Sequence, residues 1–82
     1  MAHQWRGVIT EYRDRMPLDK SAPIVSLGEG GTPLVYACTV SEAVGGSVWL
    51  KYEGANPTGS FKDRGMTMAI SHAASEGAKA VI

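Results

Sequence analysis

The chain predicts an α/β fold organised on a parallel strand–helix–strand unit in its second half. Ser47-Val48-Trp49-Leu50-Lys51-Tyr52-Glu53 is rich in β-branched and aromatic residues, the composition of a strand. After a turn, residues 61–76 place Phe61, Gly65/Met66, Ala69, Ile70 and Ala73 at the spacing of one helix face, with Gly77 as the stop. Ala78-Lys79-Ala80-Val81-Ile82 then begins another strand. Strand 47–53, helix 61–76 and strand 79–82 thus read as one right-handed βαβ unit. A parallel sheet requires cover on both faces, which two strands and one crossover do not supply. The chain is therefore expected to be the N-terminal part of a longer protein.

The elements before this unit are shorter. Gln4 to Met16 reads as an amphipathic helix, because Trp5, Val8, Ile9, Tyr12 and Met16 recur at i, i+3, i+4 spacing. Pro17 ends it. Leu18 to Ser26 is a connector, with Ile24-Val25 a short extended piece. Gly28-Glu29-Gly30-Gly31-Thr32-Pro33 holds three glycines in four positions, which implies positive φ or close backbone approach. Glycine content alone favours a surface turn; a loop lining an active site is the sharper alternative. Leu34-Val35-Tyr36 follows as a short strand. Ser41 to Val44 reads as a brief helix capped by Thr39 or Ser41 and ended by Gly45-Gly46.

Composition limits the function classes. Eighty-two residues make one domain at most, and a chain this short buries only about 60% of its unfolded surface. Eight basic residues balance eight acidic ones, so nothing suggests a nucleic-acid or anionic-membrane partner. The single cysteine, Cys38, excludes an internal disulfide and suits a reducing compartment. Residues 1–16 carry charges throughout, unlike a signal peptide, and no apolar run approaches the roughly 18 residues of a membrane span. A cytoplasmic location is expected. His3 and His72 lack partners at metal-ligand spacing, which leaves no zinc site, and Cys38 has no basic neighbour to activate it.

The chemistry gathers in Asn56-Pro57-Thr58-Gly59-Ser60-Phe61-Lys62-Asp63-Arg64-Gly65, a turn that opens into the second-half helix. Ser60 suits the N-cap, and Asp63 three residues later completes a pattern close to a capping box. Asp63 and Arg64 read as a local charge pair or a carboxylate-to-amide cap, Phe61 as core packing, and Ser60 as cap before ligand contact. Lys62 and Arg64 oppose the helix macrodipole, each by roughly 0.3–1 kcal/mol if exposed. Stability alone does not select them. A lysine beside a helix N-terminus and a second cation has its ammonium form disfavoured, which suits a nucleophilic amine. The same helix end attracts phosphate. Together these features favour a carbonyl compound bearing phosphate; pyridoxal phosphate fits, as do other phosphorylated carbonyls. Gly54 and Gly59 have the glycine spacing of a nucleotide P-loop, but Ser60-Phe61 stands where Lys-Ser/Thr is required, so that reading fails.

Residues 56–66, Asn-Pro-Thr-Gly-Ser-Phe-Lys-Asp-Arg-Gly-Met, resemble the lysine segment of fold-type II pyridoxal-phosphate enzymes. Glu29-Gly30-Gly31-Thr32-Pro33-Leu34 and Leu50-Lys51-Tyr52-Glu53-Gly54 are similar to that family in order and spacing, and the likeness runs from about Trp5 to Ile82. Within the family the chain looks most like the threonine synthases, with Phe61 before the lysine and Gly65-Met66 after it. The resemblance implies a three-layer open parallel sheet of the tryptophan synthase β-like type, incomplete in this chain, with residues 1–46 preceding the lysine-bearing unit 47–82. It further implies that Lys62 binds pyridoxal 5'-phosphate covalently and acts as acid and base. The substrates would be O-phosphohomoserine and water, the products threonine and phosphate, and the full-length enzyme a homo-oligomer. Cysteine synthase-like and threonine dehydratase-like enzymes share part of the pattern. A catalytically silent remnant or interaction segment is the alternative from another class. The family's Ser/Gly-Asn loop, its glycine-rich phosphate loop and its polar residue at the pyridine nitrogen would all follow Ile82, so the 82 residues alone are expected to be inactive.

Overall fold

A computed structural model of the chain describes residues 2–82. In order, the elements are helix α1 (Val8–Glu11), a 3-10 turn (Arg13–Arg15), strand β1 (Leu34–Tyr36), helix α2 (Cys38–Val44), strand β2 (Trp49–Lys51), a 3-10 turn (Glu53–Ala55) and helix α3 (Asp63–Ser75).

The first helix is much shorter than the expected 4–16. Gly7 sits at φ 99°, outside the helical region, so the helix cannot run back through it. A Cβ at Gly7 would lie 2.5 Å from the Ser26 hydroxyl, so the chain passes close to the connector there. Beyond Glu11, Tyr12 leaves helical geometry at φ −120° and the chain tightens into the 3-10 turn, reaching extended Met16 before Pro17. Ile9 is fully buried and forms a small core with Leu18 and Ala22, against which Met16 and Met68 pack. The connector is tied down by Arg13, whose Nη2 donates to the carbonyls of Asp19 and Lys20 at 2.8 and 2.9 Å.

The expected parallel unit is not formed among the described residues. β2 pairs with β1, and the pairing is antiparallel: Leu34 faces Lys51, Val35 faces Leu50 and Tyr36 faces Trp49. Bonds from the Ala37 N–H to the Val48 carbonyl and from the Tyr52 N–H to the Pro33 carbonyl, both 2.9 Å, extend the ladder. The Tyr36 and Trp49 rings lie 5.0 Å apart, a distance at which aromatic pairs attract. Residues 79–82 take no strand assignment. A strand exists only by pairing, and the described ladder joins β2 to β1 alone. Helix α2 starts at Cys38, earlier than expected, and neither Thr39 nor Ser41 caps it. Ser41 is buried instead, and its hydroxyl accepts the Val48 N–H at 2.8 Å.

Helix α3 matches its expected span within two residues at the start and one at the end, but not its expected face. Its buried positions are Asp63, Thr67 and Ser71, a polar stripe at i, i+4, i+8. Phe61 and Met66, expected in the core, are 65% and 50% exposed. Polar partners decide the orientation. The Thr67 hydroxyl donates to Glu29 at 2.9 Å, and the Ser71 hydroxyl accepts the Val25 N–H at 2.8 Å. The apolar residues of both strands, Leu34, Val35, Tyr36, Trp49 and Leu50, are likewise exposed.

Candidate active site

Three stretches far apart in sequence converge at the start of α3. The glycine loop comes first. Trp5 lies across its backbone: the indole Nε1 donates to the Glu29 carbonyl at 2.7 Å. At Gly30, φ is 80°, and a Cβ would sit 2.8 Å from the Trp5 ring and 2.9 Å from Val8. Close approach thus explains that glycine, so part of the loop serves packing. The Glu29 side chain is fully buried. Its carboxylate accepts hydrogen bonds from the Ser26 hydroxyl (2.9 Å), the Leu27 N–H (3.0 Å) and the Thr67 hydroxyl (2.9 Å). Burial pushes this carboxyl upward, yet the bonds to its charged form outweigh burial and hold it below the usual range.

The 3-10 turn after β2 joins the loop to the lysine turn. Glu53 Oε1 receives Arg64 Nε at 2.5 Å and Asn56 Nδ2 at 3.2 Å; Oε2 receives Arg64 Nη2 at 2.9 Å and the Thr32 hydroxyl at 2.6 Å. Asn56 also accepts the Gly30 N–H at 2.8 Å, and Lys51 donates to the Thr32 carbonyl. Arg64 therefore pairs with Glu53 in the fork geometry that guanidinium and carboxylate favour, and not with the adjacent Asp63. This corrects part of the sequence reading. The second cation near Lys62 faces a carboxylate, so it does not stand as an uncompensated charge beside the amine.

Hydrogen bonds from Arg64, then from Thr32, hold the Glu53 carboxyl down from 4.5 to about 2. Between those values the folded chain binds fewer protons than the unfolded one. Its contribution to stability is therefore complete above about pH 4.5 and is lost as pH falls toward 2. Acid titration followed by tryptophan fluorescence should show a loss of stability over that interval. Glu53→Gln, which has no charge to protonate, should make that loss smaller, with the part due to Glu29 remaining.

The turn preceding α3 is built from its own side chains. Asp63 is buried and accepts the Thr58 N–H at 2.8 Å and the Thr58 hydroxyl, so it is a carboxylate-to-amide cap. Ser60 lies three residues before the helix and accepts the Lys62 N–H at 3.1 Å, in place of the expected N-cap role. The N–H groups of Thr58, Gly59, Lys62, Asp63 and Arg64 all have internal acceptors. Those five amides are thus spent on the turn itself, and the expected phosphate site at this helix end lacks them as donors.

Lys62 is exposed, and among the described residues its ammonium makes neither a hydrogen bond nor an ion pair. It borders an open groove of about 410 Å³ with Phe61, Gly65 and Met66. That volume lies within the range of small-molecule sites, and the lining is apolar apart from the lysine. A ring with an aldehyde fits these residues: Phe61 and Met66 offer apolar surface and Lys62 an uncommitted nitrogen. Sequence reasoning identified Lys62 but missed Glu53 and Thr32 as partners of Arg64. A lone Glu and a lone Thr, 11 and 32 residues from Arg64, carry no local signal of such pairing.

A family model described as pyridoxal-phosphate dependent enzyme matches residues 25–82. The chain belongs to that family. Among individual relatives it is similar to the threonine synthases of Mycobacterium leprae (56% identity over 81 residues), Synechocystis (54% over 83) and Halalkalibacterium halodurans (49% over 79). These alignments cover 98%, 99% and 96% of this chain and 22% of each relative, so the chain spans about a fifth of their length.

Proposed function

We propose that this chain is the cofactor-lysine segment of a threonine synthase, with Lys62 as the residue that holds pyridoxal phosphate. The observation that carries the reading is an exposed amine at a helix start, unpartnered among the described residues, whose neighbours Asp63 and Arg64 are both committed elsewhere. Residues 1–46 frame the glycine loop, and residues 47–82 carry the lysine. The similarity to threonine synthases over nearly the whole chain supports the choice of reaction, O-phosphohomoserine and water to threonine and phosphate.

When bound, the cofactor supplies an electron sink for carbanion character developing on the substrate. Lys62 Nζ would anchor it, and the same nitrogen would hold and return protons on the substrate carbons. Phe61 and Met66 give the open groove apolar surface beside that nitrogen. The amides of the turn are spent internally, so they are not the donors for the cofactor's phosphate. The working protein is read as a cytoplasmic homo-oligomer acting on a small molecule. Among the described residues no helix is long and apolar enough to cross a membrane.

Assaying the full-length protein against O-phosphohomoserine, serine, threonine and O-acetylserine tests the reaction. Phosphate release coupled to threonine formation, with the first substrate strongly preferred, is the expected result. Preference for O-acetylserine or for threonine deamination would replace the assignment with one of the related activities.

A further inference from the structure

We infer that Glu53 is a positioning residue for the Lys62 amine, acting through Arg64; the inference rests on the reading of Lys62 as the cofactor lysine. Because the Lys62 side chain has no partner among the described residues, its place is set by the main chain of residues 60–66. Most ties on that stretch are internal to the turn: Ser60 to the Lys62 N–H, and Asp63 to Thr58. Arg64 is different. Among the described residues it is the one side chain between 60 and 66 hydrogen-bonded outside the turn and helix, and its partners are Glu53 and Thr32.

Glu53 accepts four hydrogen bonds from three residues. Two donors come from Arg64, one from Asn56 at the start of the lysine turn, and one from Thr32 at the end of the glycine loop. One carboxylate thus ties the 3-10 turn after β2, the glycine loop and the first turn of α3 together. A planar guanidinium held by two parallel bonds resists rotation as well as displacement, which a single contact would not. Arg64 lies two positions after Lys62, so any pivot of the first turn about the Arg64 anchor moves the amine. Small misplacements of a reacting group, about 1 Å, can cost on the order of 10²-fold in rate.

The test uses the full-length protein carrying Glu53→Gln or Arg64→Lys, alongside the parent. Each apo protein is mixed with pyridoxal phosphate and reduced with borohydride at timed intervals, and the pyridoxyl label on Lys62 is followed by peptide mass spectrometry. Melting curves of the apo proteins and separate kcat and KM values complete the set. Glu53→Gln keeps the side chain's shape but loses its charge. It should remain folded, label Lys62 about 10-fold more slowly or worse, and lose kcat by about 10- to 100-fold with little change in KM. Arg64→Lys, which keeps charge but not the paired fork, should move in the same direction.

Parent-like labelling and kcat in a folded Glu53→Gln protein would overturn the inference. Should Glu53→Gln fail to fold, a folded Arg64→Lys protein with parent-like labelling and kcat would overturn it equally. Labelling of the parent on a different lysine would instead sink the cofactor assignment on which the inference rests.

Discussion

Replacing Lys62 by alanine in the full-length protein should remove both the covalent pyridoxyl label and turnover. The alanine has no nitrogen to bond the aldehyde, and no other described side-chain nitrogen lines the groove. Loss of the proton-transfer role alone accounts for about 10²- to 10⁴-fold in rate, and loss of anchoring adds to that. The fold should survive, because the exposed Lys62 side chain carries no tertiary hydrogen bond among the described residues. Circular dichroism and melting should therefore match the parent while borohydride-fixed cofactor disappears from the peptide containing residue 62. Normal turnover in that variant would refute the assignment.

The largest stability effect is expected at Glu29. Its carboxylate is fully buried and accepts hydrogen bonds from Ser26, Leu27 and Thr67. Glu29→Ala would leave those donors without their partner and open a void where the side chain stood. Each unsatisfied buried group costs about 1–3 kcal/mol, so a loss of about 2–4 kcal/mol is expected after partial relaxation. Denaturant unfolding followed by the fluorescence of Trp5, which itself donates to the Glu29 carbonyl, measures it directly. Glu29→Gln keeps the volume and one acceptor and should cost less. A Glu29→Ala protein as stable as the parent would show that the glycine loop is held by Trp5 and the Gly30–Asn56 bond alone.

Glu29 and Lys62 also show how differently two positions read from sequence. Lys62 was visible because a cation in a first helical turn conflicts with the macrodipole and local capping rules, and a local conflict is legible without a fold. Glu29 was only one letter of a glycine loop. Its burial depends on Thr67, 38 residues away, and on Trp5 lying across the loop.

The linear chain by itself determined the helix from about residue 61 to 76, the strands near Leu34–Tyr36 and Trp49–Lys51, the glycine stop after α2 and the lysine turn. All of these rest on interactions within a few residues: spacing, propensity and turn chemistry. Tertiary structure alone decided which face of α3 is buried, that β2 pairs antiparallel with β1, and that Arg64 belongs to Glu53. In each case the deciding partner is distant in sequence. A polar stripe such as Asp63, Thr67 and Ser71 goes inward only because hydrogen-bond partners wait there.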